Sequence, residues 1–150
     1  NWCLENHNRM KKIAPNYKLS GEHLEKAKHN LRAADFNIQG GFADWAVSQL
    51  YYAMYHSLLA ILFRKGFESK NHECTINTIE YLIEEGEINF DREDMAFIRT
   101  TEQMTKKDAK SLREEFQYGT ETKVNKILLD ELIKKSKEIV EKVEVMFLDE

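Results

Sequence analysis

Between Phe42 and Arg64 the chain offers almost no polar face. Phe42, Ala43, Trp45, Ala46, Val47, the run Leu50 to Tyr55 and the run Leu58 to Phe63 would cover every side of a helix of that length. A helix that is apolar all round is buried by neighbours on several sides, or by neighbours and a second subunit. The segment therefore predicts a bundle with itself at the centre, and the remaining sequence must supply the helices around it. A chain of 150 residues has room for one such core and not for two. One proline and six glycines are too few breaks for many short strands.

The surrounding helices are legible from their apolar spacing. Ser20 reads as an N-cap with Glu22 in the first turn, followed by Leu24, Ala27, Leu31, Ala34 and Ile38 on one stripe and a stop at Gly40-Gly41. His72 to Glu85 carries Ile76, Ile79, Leu82 and Ile83 on one face and ends at Gly86. Asp91 can cap a helix reaching about Tyr118, anchored by Met95, Ile98, Leu112 and Phe116, whose polar middle admits a break near Thr105. The last helix, from about Val124 to Leu148, buries Leu129, Leu132, Ile133, Ile139, Val140, Val143 and Phe147. No period-two alternation, internal repeat or linker is read. The expected fold is all-α: an up-and-down four-helix bundle with an additional short helix or N-terminal arm, the arm over residues 1–17 and the bundle over 18–150. Helices are expected near 20–39, 42–65, 72–85, 92–118 and 124–148.

Composition narrows the function classes. Hydrophobic residues at 42% and charged residues at 32% fit a soluble folded domain. A net charge of -4 argues against a protein that coats nucleic acid or anionic membrane nonspecifically. From Glu73 to Asp94 eight acids face the single base Arg92. No uninterrupted apolar run reaches the roughly 18 residues of a membrane span, so no membrane partner is expected. No leader is read at the start, and a chain opening on Asn1 is read as having lost its initiator residue. Cys3 and Cys74 lie far apart and suggest neither a disulfide nor a zinc site, which places the protein in a reducing cytoplasm.

The common catalytic signatures are missing: no phosphate-binding Gly-rich loop, no Gly-x-Ser-x-Gly, and no Glu-x-x-His pair for a metal bundle. Neither metal nor cofactor is expected. His7, His23 and His29 read as surface residues, His56 as a core or interface histidine bonded by a tyrosine, and His72 as a cap or an exposed group. Arg99, Gln103, Lys106, Lys110 and Arg113 step by four and three along one helix face. Such a row of cations matches a phosphate backbone; the plainer alternative is a solvated face balanced by Glu102, Asp108, Glu114 and Glu115. Trp45, Tyr51, Tyr55 and Phe63 put apolar area on more than one side of the central helix, which predicts self-association.

The run Trp45-Ala-Val-Ser-Gln-Leu-Tyr-Tyr-Ala-Met-Tyr-His56 resembles the second-helix signature of HEPN domains, the higher eukaryotes and prokaryotes nucleotide-binding family. The helix before it and the Gly66 to His72 turn are similar too. Arg113-Glu-Glu-Phe-Gln-Tyr118 resembles the family's Arg-x4-Tyr form, and Trp2-Cys3-Leu4 with Ile13-Ala14-Pro15 resembles the leader of an archaeal-type branch. The resemblance implies a dimerising helical bundle that pairs with a minimal nucleotidyltransferase in toxin–antitoxin modules. Active members are metal-independent RNases with an Arg followed four to six residues later by a His; here Arg113 matches, but position 118 is Tyr and no His follows His72. A phenol near pKa ~10 is a poor base at neutral pH. The leading reading is thus a homodimeric protein that binds a nucleotide or RNA phosphate through Arg99, Lys106, Lys110 and Arg113. The alternatives are an endoribonuclease toxin using Arg113 with Tyr118 or His56, and a non-catalytic interaction scaffold.

Overall fold

Pro15 and Asn16 decide where the first helix begins. Asn16 is extended, and its side chain accepts a hydrogen bond from the Leu19 N–H (3.0 Å), so helix α1 runs over Tyr17–Gln39. Ser20, the cap expected from sequence, lies inside the helix instead. Its buried hydroxyl donates to the Ala60 carbonyl (2.7 Å) and ties α1 to its neighbour. The computed structural model describes residues 1–106 and 122–149. Within them follow α2 (Ala43–Lys65), α3 (His72–Glu84), α4 (Arg92–Thr105) and α5 (Thr122–Leu148). The fold is an all-α bundle, as the apolar spacing requires. Helix α4 ends at Thr105, where its polar middle admitted a break; Lys110, Leu112, Arg113, Phe116 and Tyr118 lie outside the described residues.

Helix α2 is the centre. Fourteen of its 23 residues are buried, against four in each of α1 and α4. It packs against α1, α3, α4 and α5. By length and composition α2 could cross a membrane, but 78% of its most apolar window is covered by the rest of the bundle. Of the aromatics expected to face a second subunit, Tyr51, Tyr55 and Phe63 point into the core. Trp45 (61%) is exposed, as are Phe36 (77%) and Phe42 (57%) near the α1–α2 turn, and Tyr52 is 43% exposed.

Residues 1–16, ahead of α1, carry a strand where the sequence suggested a helical turn. Strand β1 (Met10–Lys12) pairs antiparallel with β2 (Phe67–Ser69), Lys11 opposite Glu68. Three-residue strands are too short to betray themselves by alternation. Gly66 serves both structures. It ends α2 in the left-handed conformation (φ 87°), and a Cβ there would stand 2.9 Å from the Ile13 carbonyl oxygen. Any other residue would both strain the helix end and push the arm away.

The same fold-back overturns the expectation for the cysteines. Cys3 and Cys74 are joined in a disulfide, their Cα atoms 5.7 Å apart. Separation along the chain says nothing of separation in space once the arm lies along α3.

Helix α5 packs on α2 and α1 and is tied to α4 by charge. The Asp94 carboxylate is fully buried and bound by Lys135 (2.7 Å) and Lys142 (2.7 Å); Lys142 also reaches Asp91 (3.0 Å). Asp91 thus spends its carboxylate on α5, and its side chain does not cap α4.

Candidate functional site

Buried phenols need partners. Tyr51 and Tyr55 sit one turn apart on α2 and face the start of α3. There the His72 ring stacks on Tyr55, centroids 4.0 Å apart and nearly parallel, with Tyr52 edge-on. The Tyr51 hydroxyl lies 2.7 Å from His72 Nδ1 and donates to Glu102 Oε2 (2.9 Å). The Lys106 ammonium holds the other Glu102 oxygen (2.8 Å). The Tyr55 hydroxyl meets that of Thr75 (3.1 Å). Residues from α2, α3 and α4 thus converge on one polar chain, Lys106–Glu102–Tyr51–His72. It stands at the end of α4, just ahead of the segment that carries Arg113.

Electrostatics fix the charge states along this chain. Burial would raise the Glu102 carboxyl, but hydrogen bonds from Lys106 and Tyr51 outweigh it and hold Glu102 below its ordinary value. Burial, reinforced by the hydrogen bond to Glu102, pushes the Tyr51 phenol far up, so it stays protonated. Burial lowers His72, only partly countered by the charge of Glu102. At neutral pH the chain is ammonium, carboxylate, phenol and neutral imidazole.

A second imidazole pair lies where α1 crosses α2. His23 is half-buried, its ring between His56 and Phe63 at centroid distances of 5.2 Å to each, and its Nδ1 is 3.0 Å from His56 Nδ1. This corrects two expectations. His23 is not a surface residue, because the close α1–α2 pairing turns it inward. His56 is bonded by a histidine and not by a tyrosine, since Tyr52 only tilts against its ring at 6.5 Å. His72 neither caps nor lies free: Asn71 is the cap, accepting from the Cys74 N–H (3.0 Å).

Burial, with the charges of His23 and Lys26 nearby, lowers His56 from 6.5 to about 4. Burial also lowers His23, against the opposing pull of Glu22. Unfolded, His56 takes a proton near 6.5; folded, it refuses one until about 4. The unfolded state therefore binds more protons across that window, and stability falls as pH drops through it. We expect a loss on the order of 1–2 kcal/mol after solvent screening is allowed for. Urea unfolding across the window checks this, and His56→Gln should flatten the dependence.

The cationic row divides. Arg99 is clamped by α3: it donates to Glu73 (3.3 Å) and Asn77 (3.0 Å) and pairs closely with Glu80. Among the described residues Lys106, 71% exposed, pairs with Glu102. Lys110, Arg113 and Tyr118 lie outside the described residues. Neither His72, read from sequence as a cap or an exposed group, nor Glu102, read as a balancing acid, was a candidate site residue. The available signal was the pair of tyrosines on an otherwise apolar helix, whose hydroxyls had to find polar partners on a neighbouring element.

Helices packed around a buried central helix define a helical-bundle domain, and the sequence comparisons say which family of bundles it is. The HEPN domain family profile matches residues 20–146. The chain belongs to the HEPN domain family. It is 31% identical over 121 residues to a UPF0332 protein of Archaeoglobus fulgidus, covering 79% of this chain and 87% of the relative. It is 37% identical over 65 residues to "Putative toxin MJ0142" of Methanocaldococcus jannaschii, a match that spans 43% of this chain and 44% of that relative.

Proposed function

We propose that this protein binds a nucleotide or the phosphates of single-stranded RNA, as a homodimer partnered by a minimal nucleotidyltransferase in a toxin–antitoxin-like module. The observation that carries the reading is the polar chain ending in Lys106, an exposed cation at the threshold of the Arg113 segment. Arg99 would have to surrender two carboxylates to hold a phosphate, so in this reading Lys106, Lys110 and Arg113 make the contacts and Arg99 positions α4 against α3. Phe36, Phe42 and Trp45, exposed together at the α1–α2 turn, supply apolar area for self-association. A cytoplasmic location is retained in the form that accommodates the disulfide, as in the interior of hyperthermophiles, where structural disulfides are common.

A second reading, a metal-independent endoribonuclease, is favoured by the neutral imidazole held beside that cation; Arg113 with Tyr118 or His56 are the groups the sequence offers for it. Incubation of the full chain with RNA in EDTA separates the readings. Binding without cleavage supports the first, and cleavage lost in Arg113→Ala supports the second. Neither binding nor cleavage leaves an interaction scaffold and refutes both.

A further inference from the structure

Tyr51 has one hydroxyl proton and two partners. Glu102, an ionised carboxylate, can only accept, so the phenol donates to it and must itself accept from His72. That requires the proton of the neutral imidazole to sit on Nδ1. The remaining ring nitrogen, Nε2, then carries a free electron pair. Carboxylate, phenol and imidazole in series impose one tautomer, and the Tyr55 ring stacked on His72 fixes its plane. A surface histidine needs neither constraint. His56, by contrast, is partnered by another imidazole that can exchange donor and acceptor roles with it.

We propose that His72 is the acid–base residue of an RNA-cleaving site, with Tyr51 and Glu102 as its positioning residues. The inference rests on the reading that RNA phosphate is held beside Lys106. In the step, Nε2 takes the proton of a ribose 2′-hydroxyl and the 2′-oxygen forms a bond to the adjacent phosphorus. The bond from phosphorus to the 5′-oxygen breaks. Water protonates that oxygen, and the hydroxide so formed takes the proton back from the imidazolium. The products are a 2′,3′-cyclic phosphate and a 5′-hydroxyl. Lys106 has three donors, of which, among the described residues, Glu102 occupies one; the others suit a non-bridging phosphate oxygen. Among the described residues, the titratable and charged groups around His72 are Tyr51, Tyr52, Tyr55 and His56 from α2, Glu73 from its own helix, Glu102 from α4 and Lys106 at the C-cap of α4.

The test uses the full chain with a fluorescent single-stranded RNA in EDTA, reading binding by anisotropy and cleavage by the end groups formed. Wild type should cut, and H72A and the more conservative H72N should each cut about 10²-fold more slowly or worse while binding RNA as before. Added imidazole should restore part of the H72A rate, which a purely structural role would not allow. The rate should rise with pH through a value below the ordinary histidine 6.5. E102Q, which removes the charge that favours imidazolium, should move that limb to lower pH. Wild-type RNA binding without cutting, or cutting by H72A or H72N at the wild-type rate, overturns the assignment of His72 and leaves the binding reading standing. Failure of wild type to bind RNA overturns that reading, and this inference with it.

Discussion

Reduction of the Cys3–Cys74 bond should lower stability by about 4 kcal/mol, the loop-closure value for a crosslink spanning 71 positions. For a chain of this length that corresponds to a fall in thermal midpoint on the order of 10 °C. The structural consequence begins with the arm. Met10 is buried against the core, and β1 holds β2 through backbone hydrogen bonds that continue past the strands, from the Lys70 N–H to Arg9 and from the Ile13 N–H to Gly66. Without the crosslink, the short two-strand ribbon must hold the arm with less help. Thermal melts with and without reductant check the expectation, and a Cys3→Ala/Cys74→Ala protein should melt at one temperature under both conditions. A wild-type midpoint indifferent to reductant would mean that the bond adds nothing.

Asp94→Ala should destabilise the protein by about 3 kcal/mol, at the lower end of the range for breaking a buried ion pair. The lower end applies because Lys135 and Lys142 are 29% and 41% exposed, so once Asp94 is gone both ammonium groups can turn to water. What is lost is the link between α4 and α5 at a position where the carboxylate itself is 0% exposed. Burial works to raise Asp94, but hydrogen bonds from both lysines outweigh it, so its carboxyl lies below the usual value. The stabilisation is therefore present at neutral pH and disappears as acid protonates the folded carboxyl, below about pH 4. Loss of stability between pH 6.5 and 4 is instead assigned to the histidines that burial lowers, His56 foremost, with His23 and His72 acting in the same direction. Denaturant unfolding of wild type and Asp94→Ala at neutral pH measures the first effect, and acid titration of the same pair separates the two.

The bundle was legible because burial leaves a period in sequence: α2 was placed by having no polar face, and α1, α3 and α5 by stripes. Helix ends were legible where glycine marks them, at Gly40 and Gly66, and less so at the start of α1, where Asn16 is the cap and the expected Ser20 lies inside the helix. The arm was not legible. Its strand is three residues long, and its disulfide depends on a fold-back that no local pattern encodes. The polar chain was half legible. The Tyr-Tyr-Ala-Met-Tyr-His run marked α2, but nothing near His72 or Glu102 says that a tyrosine 21 positions before one and 51 before the other would join them. The row of cations was visible as a row, while its neutralisation at Arg99 is a tertiary fact supplied by Glu73 and Glu80 on α3.

The reading of this chain as a phosphate-binding HEPN protein turns on Arg113, the residue that matches the family's arginine. Titration of a labelled single-stranded RNA with wild type, Arg113→Glu and Lys26→Glu at low salt, paired with a thermal melt of each, tests it most directly. The account predicts that wild type binds with an affinity that falls as salt rises, that Arg113→Glu abolishes binding with its thermal midpoint nearly unchanged, and that Lys26→Glu alters neither. Equal RNA affinity of wild type and Arg113→Glu would contradict it, and a large loss of stability in Arg113→Glu would make that arginine a structural ion-pair member instead.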